Sequence, residues 1–163
     1  MITVKMVTSE SEKEKITLDI MGSLPEWFSP PEDIAVKAVS HRNMPFFAAF
    51  DKDECIGFAV LKIHNEYTAE IYNLGVLKKY HRQGGGHLLT MACVEFCRAR
   101  GMFFLTVKTL DESAEYEPYE RTRAFYGKEG FLPLEVFPDY WNEDNPCLFL
   151  VKVIGGVCNN ENN

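Results

Sequence analysis

Apolar and polar positions change period several times along this chain, and each change marks an element. Thr3 to Val7 alternates and predicts a short strand, while Glu12 to Met21 carries apolar residues at helical spacing, with Gly22 and Pro25 as its stop. A second helix is predicted from Pro31 to about His41. Its start is marked by an early proline followed by Glu32 and Asp33, both favourable at the positive end of a helix. Phe46 to Phe50 and Ile56 to Ile63 are β-rich runs separated by the polar turn Asp51, Lys52, Asp53, Glu54, which is the pattern of a hairpin. Ala69 to Val76 predicts a third strand of the same meander. The period becomes helical from Gly86 to Arg100, Gly101 closes it, and Phe103 to Thr109 returns to strand. Such a strand–helix–strand passage is a crossover between parallel strands. A short helix near Glu120 to Lys128, a strand near Leu132 to Phe137 and a last strand from Cys147 to Ile154 complete the order βααβββαβαββ. The fold class is α/β, one mixed sheet flanked by helices on both faces.

The 163 residues suit one domain, predicted over residues 1–154, with GGVCNNENN from residue 155 to 163 as a flexible tail. No apolar run approaches the ~18 residues that a spanning helix needs, so no membrane association is expected. The first residues lack the apolar core of a secretory signal, which makes the cytoplasm the expected address. A formal charge of −7 argues against a protein whose main task is gripping nucleic acid. The 5 cysteines contain no C-x-x-C pair, so neither a disulfide framework nor a metal site is indicated, and Cys93 with Cys97 reads as packing on one helix face.

Candidate chemistry concentrates in VLKKYHRQGGGHLL, Val76 to Leu89, between a predicted strand and the long helix. A helix start leaves backbone N–H groups without internal partners, and together with the helix dipole they attract anions. Gly84, Gly85 and Gly86 remove the Cβ atoms that would hold a phosphate away from those groups. Lys78, Lys79, His81 and Arg82 form the one dense basic patch of an acidic chain. A flexible loop would use the same glycines. Two standard nucleotide motifs fail, because no G-x-x-x-x-G-K run is present and Leu89 stands where a dinucleotide fingerprint has its third glycine.

The run Val76, His81, Arg82, Gln83, Gly84, Gly85, Gly86 resembles the acetyl-CoA signature of the GNAT N-acetyltransferase superfamily. That signature is a Gln or Arg, two residues, Gly, one residue, then Gly or Ala, a few residues past a strand-end valine. His81 replaces the leading Gln or Arg. Downstream, TRAFYGKEGF, Thr122 to Phe131, resembles the family's A-x-x-F-Y-x-x-x-G-F segment, with Thr122 in place of alanine and Tyr119 in place of a frequent asparagine. The two matches cover the region from Ala69 to Ile154.

The resemblance implies an acetyl-CoA-dependent N-acetyltransferase that moves an acetyl group from the thioester to a primary amine by direct attack. It places the coenzyme against Leu74, Val76, His81, Arg82, Gln83, Gly84, Gly85, Gly86, His87 and Phe125. It also implies a β strand pair splayed into a V around the pantetheine arm and, by analogy, a homodimer. Such a transfer needs an uncharged nucleophile, a stabilised oxyanion and a held or protonated thiolate. An alkyl amine of pKa ~10.4 benefits from a base. Glu70, which opens AEIYNLGV, resembles the glutamate that fills this role in the histone acetyltransferase branch. A solvated strand-start residue is the competing expectation for Glu70, and Asp139, Glu135 and His64 stand as alternative bases. A backbone N–H near Leu74 or Val76 can serve the oxyanion if the strand bulges there, a place that Gly75 suits. Tyr126 is the expected general acid at the coenzyme sulfur, with packing beside Phe125 as the other explanation.

Trp27 and Phe28 fall in a loop between the first two helices. With Glu26, Glu32 or Asp139 they suit an organic cation if exposed, and burial explains them equally well. The acceptor, a small-molecule or peptide amine, is not named by the sequence. A non-catalytic acyl-CoA sensor or an interaction module on the same fold is the alternative, one that needs neither Glu70 nor Tyr126.

Overall fold

The computed structural model describes residues 1–156. Its elements follow the predicted order: β1 (Ile2–Val7), α1 (Glu10–Gly22), α2 (Pro31–Ser40), β2 (Phe46–Asp51), β3 (Glu54–Ile63), β4 (Thr68–Val76), α3 (Gly85–Ala99), β5 (Phe104–Leu110), α4 (Glu117–Lys128), β6 (Leu132–Asn142) and β7 (Asn145–Val153). One 7-stranded sheet runs β1-β2-β3-β4-β5-β7-β6. All neighbouring strands are antiparallel except β4 and β5, which the α3 crossover makes parallel.

Two apolar layers lie on opposite faces of this sheet. Leu89, Cys93, Val94 and Cys97 of α3 and Tyr126 of α4 pack on one face against Ala59, Leu61, Ala69, Ile71, Leu105 and Val107. Ile16, Ile20 and Met21 of α1 and Ile34 of α2 pack on the other against Phe46, Phe58 and Val60. Cys93 and Cys97 are fully buried in the first layer, and burial pushes the Cys97 thiol up to about 11.

Local signals account for most boundaries. Ser9 accepts the Glu12 amide at 3.3 Å to cap α1, Pro31 opens α2, and Gly101 takes φ 71° just beyond α3. The structure moves several boundaries, three of them for a physical reason that can be named. α4 begins at Glu117 rather than Glu120, because Pro118 in its first turn gives up only an amide that would lack a helical partner. β6 runs on to Asn142, carrying Pro138 where an edge strand has no neighbour to bond. Gly155, expected in the tail, is tied to the sheet: its amide donates to Phe103 O at 3.2 Å, and a Cβ there would lie 2.4 Å from the Phe103 ring. Tail residues 157–163, Cys158 among them, lie outside the described residues.

Candidate active site

β4 is the strand on which the candidate residues converge. It pairs with β5 only from Thr68↔Phe104 to Ile71↔Val107, after which β5 continues through Lys108, Thr109 and Leu110 with β7 alone. A gap therefore opens between the strands beyond Ile71. On its other side β4 stays paired to β3, and the Leu77 amide donates to Ile56 O at 2.8 Å. Antiparallel pairs alternate between bonded and non-bonded positions, so the amides of Leu74 and Val76 face away from β3, toward the gap.

The bulge on β4 lies at Tyr72, not at Gly75. Val60 pairs with Asn73 and Leu61 with Ile71, which leaves Tyr72 as the extra residue. Gly75 is regularly paired with Phe58, and its reason is packing, since a Cβ there would lie 3.2 Å from Ile20 and 3.3 Å from Leu24. The signal was present in the sequence. Ala69 and Ile71 face the α3 layer, and after a skipped beat Leu74 and Val76 face it again. A polar network holds this bulge from behind. His41, fully buried, has one ring nitrogen 2.9 Å from Thr17 Oγ1 and the other 2.8 Å from Asn73 Oδ1. Burial pulls its pKa down to about 4.

At the far end of the gap the chain turns into α3. Gly84 caps the helix with φ 89°, a conformation that side chains with a Cβ strain to adopt, and Arg82 before it takes φ 62°. Gly86 lies under the Phe125 ring, 3.1 Å from where a Cβ would sit. Of the three glycines only Gly84 leaves open space at the helix start, since Gly86 makes room for the Phe125 ring and Gly85 faces Ile56 and Val76 in the core. Arg82 is exposed, while three other side chains around the turn are engaged with the protein itself. His81 Nε2–H donates to Val76 O at 2.7 Å, Gln83 donates to Lys79 O at 2.8 Å, and His87 Nδ1 is 3.0 Å from Glu129. The cradle is made of backbone, with the His81 ring as a staple rather than a free donor.

Glu70 is 3% exposed, which overturns the expectation of a solvated strand-start residue. Lys108 Nζ donates to both its oxygens, at 2.6 and 3.0 Å, and His64 Nε2 lies 3.1 Å from Oε2. Burial works to discharge Lys108, but the hydrogen bond and charge of Glu70 outweigh it and hold its pKa above the usual lysine value. Tyr140 and Phe149 wall this pair, their ring centres 5.4 and 5.6 Å from the Lys108 ammonium. Of the alternative bases, His64 joins the cluster directly. Glu135 sits across from Phe149 on exposed β6, two strands away from Glu70's neighbour Lys108, and Asp139 is exposed on the same strand.

Tyr126 is 5% exposed, its ring 5.1 Å from Phe125 and 5.4 Å from Phe131. Burial and then the neighbouring Cys93 raise its pKa, so the phenol keeps its proton. The two departures from the family segment act together. The Trp27 indole donates to Pro118 O at 3.2 Å and to Thr122 Oγ1 at 3.1 Å, while Tyr119 donates to Trp27 O at 3.0 Å. Trp27 is therefore a half-buried strap to α4, with its ring against His81 at 5.9 Å, and not an exposed cation receptor. Phe28 packs into the α1 layer. Sequence reading missed Thr109: it is 3% exposed, its hydroxyl has no partner among the described residues, and it lies on the stretch of β5 that β4 leaves uncovered.

The chain can now be compared with known proteins. The profile of the acetyltransferase (GNAT) family matches residues 13–131, well over half of the chain. No curated protein sequence matches. Among solved structures, a protein described as a GNAT-family acetyltransferase from Desulfovibrio desulfuricans is similar, with TM-score 0.79, 18% identity, and 95% of this chain and 100% of that one covered. The ribosomal-protein-S18-alanine N-acetyltransferase from Escherichia coli gives TM-score 0.76 at 17% identity over 100% of both chains. An aminoglycoside 6'-N-acetyltransferase complexed with coenzyme A gives 0.74 at 18% identity, over 96% of this chain and 98% of that one. These likenesses establish a shared fold, and no helix among the described residues is long and apolar enough to cross a membrane. With the family profile spanning both the glycine turn and the α4 segment, the chain belongs to the acetyltransferase (GNAT) family and is an N-acetyltransferase.

Proposed function

We propose that this enzyme transfers an acetyl group from acetyl-CoA to a primary amine by direct attack, with the coenzyme between β4 and β5 and the amine beside Glu70. One observation carries the reading. The β4–β5 gap has the uncovered start of α3 at one end, the outward amides of Leu74 and Val76 along its edge, and Glu70 where the strands rejoin. The fit to a nucleotide with an extended thiol arm rests on the open space at Gly84, where a Cβ would meet nothing within 4 Å, and on the Thr109 hydroxyl, which has no partner among the described residues.

The α3 N-terminus would hold the diphosphate, and Leu74 and Val76 would pair with the arm. When bound, the coenzyme supplies the acetyl group as an activated thioester. Glu70 takes the proton from the attacking amine. Because its own carboxylate is buried while the His64 side chain is 34% exposed, His64, in the tautomer whose bare Nε2 accepts from the protonated Glu70, is the path by which that proton reaches solvent. Outward amides on β4 stabilise negative charge on the carbonyl oxygen, and Tyr126, which keeps its proton, hydrogen-bonds or protonates the departing sulfur.

Thiol release from acetyl-CoA with a panel of amines tests this. Wild type is expected to turn over, Glu70→Gln to lose most of kcat, and Tyr126→Phe to slow about tenfold, the worth of one hydrogen bond of ~1.4 kcal/mol. Coenzyme binding without thiol release from any amine would instead favour a sensor.

A further inference from the structure

If Glu70 is the base, as proposed above, the acceptor's amine comes to rest on the face of the sheet that carries Glu70, Tyr72 and Lys62. The charges there are unevenly used. Both oxygens of Glu70 are occupied by Lys108 and His64. Lys62 stands directly opposite Glu70 in the β3–β4 ladder, yet its ammonium lies 5.4 Å from the centre of the Tyr72 ring. Lys37, half-buried on α2, brings a second ammonium to 5.4 Å from the same ring. Neither lysine has a carboxylate within 4.0 Å among the described residues, whereas Lys108, on the same face of the sheet, does.

Two ammonium groups thus flank one phenol ring with no anion from the protein between them. Tyr72 is two residues beyond Glu70, a step of roughly 6.5 Å along a strand. An anion at Tyr72 and an amine at Glu70 would therefore be separated by only a few bonds. A polycationic acceptor would meet Lys37, Lys62 and Lys108 against a carboxylate already neutralised, so this face repels the substrates that an acidic pocket attracts. The bulge makes the arrangement specific, because the extra residue it inserts is Tyr72 itself.

We propose that the acceptor is an amine carrying its own carboxylate, an amino acid, with the carboxylate seated between Lys37 and Lys62 over Tyr72 and the amine on Glu70. The Tyr140 and Phe149 rings beyond Lys108 give its side chain an apolar wall.

The test compares the common amino acids with their carboxamides as acceptors, reading thiol release at saturating acetyl-CoA, with an aminoglycoside as the cationic control. The carboxamide has the less basic amine, so chemistry alone favours it. The best amino acid is nevertheless expected to exceed its carboxamide at least tenfold in kcat/KM. Lys37→Glu and Lys62→Glu are each expected to erase that preference through KM, while the carboxamide is unchanged or improved. A wild type that prefers carboxamides or the aminoglycoside, or charge reversals that leave the ratio unmoved, would overturn the assignment. The reading of Glu70 fails separately: Glu70→Gln would then keep full turnover with whichever acceptor works. Turnover of no amine at all, with coenzyme bound, would sink both.

Discussion

The two ends of the β4–β5 gap are built on different physics. At the α3 end the functional groups are backbone amides, and the side chains nearby are turned onto their own neighbours, His81 onto Val76 and Gln83 onto Lys79. At the Glu70 end the proposed functional group is a buried side chain, held by Lys108 from 38 residues away and by the nearby His64. A cradle of amides binds what any such cradle binds. A cluster of buried charges can discriminate by charge and shape, and the proposed choice of acceptor is placed there.

Removing the base attacks the second end and has the largest expected effect. Glu70→Gln should lower kcat by about 10²- to 10⁴-fold in the thiol-release assay while the affinity for coenzyme A, measured by calorimetry, stays within about twofold. Equal losses in both quantities would mean that the two ends are not separable.

Next in size is a pH effect on stability, expected from His41 behind the β4 bulge. The folded pKa of His41 is lowered to about 4 from 6.5, so the folded state binds fewer protons than the unfolded chain. Its contribution is complete above pH 6.5 and is lost as pH falls from there toward 4, a difference of about 3 kcal/mol. Urea denaturation at pH 7.5 and pH 4.5 checks this, and His41→Gln should flatten the dependence.

The contrast between the two ends also explains what could be read from sequence. Gly84 to Gly86 and the Tyr126 segment were legible because backbone geometry at a helix start is encoded within a few residues. Element order was legible for the same reason, each period change being local. The Glu70–Lys108 pair was not, since it joins residues 38 apart through parallel strand pairing. Nor was the Trp27 strap, in which Tyr119 and Thr122 look like departures from a motif until their partner, about 90 residues away, is in place. The bulge lay between. Its skipped alternation is written in Ala69, Ile71, Leu74 and Val76, but Gly75 was the more conspicuous residue and had a different reason to be there.

A smaller effect sharpens the picture of the gap itself. Thr109→Val removes a buried hydroxyl that has no partner in the protein, so stability should hold or rise slightly. If that hydroxyl serves the coenzyme, affinity for coenzyme A should fall by about fivefold, near 1 kcal/mol. Unchanged affinity would remove Thr109 from the site and leave the rest standing.

The diphosphate cradle is tested most directly by titrating coenzyme A into the protein in a calorimeter, alongside Gly84→Val. One-to-one binding is expected for the wild type. A valine forced to φ near 89° should weaken it at least tenfold, through strain of roughly 1–3 kcal/mol, with the fold intact by circular dichroism. No heat and no saturation with millimolar coenzyme A, or an unaltered isotherm for Gly84→Val, would contradict the account.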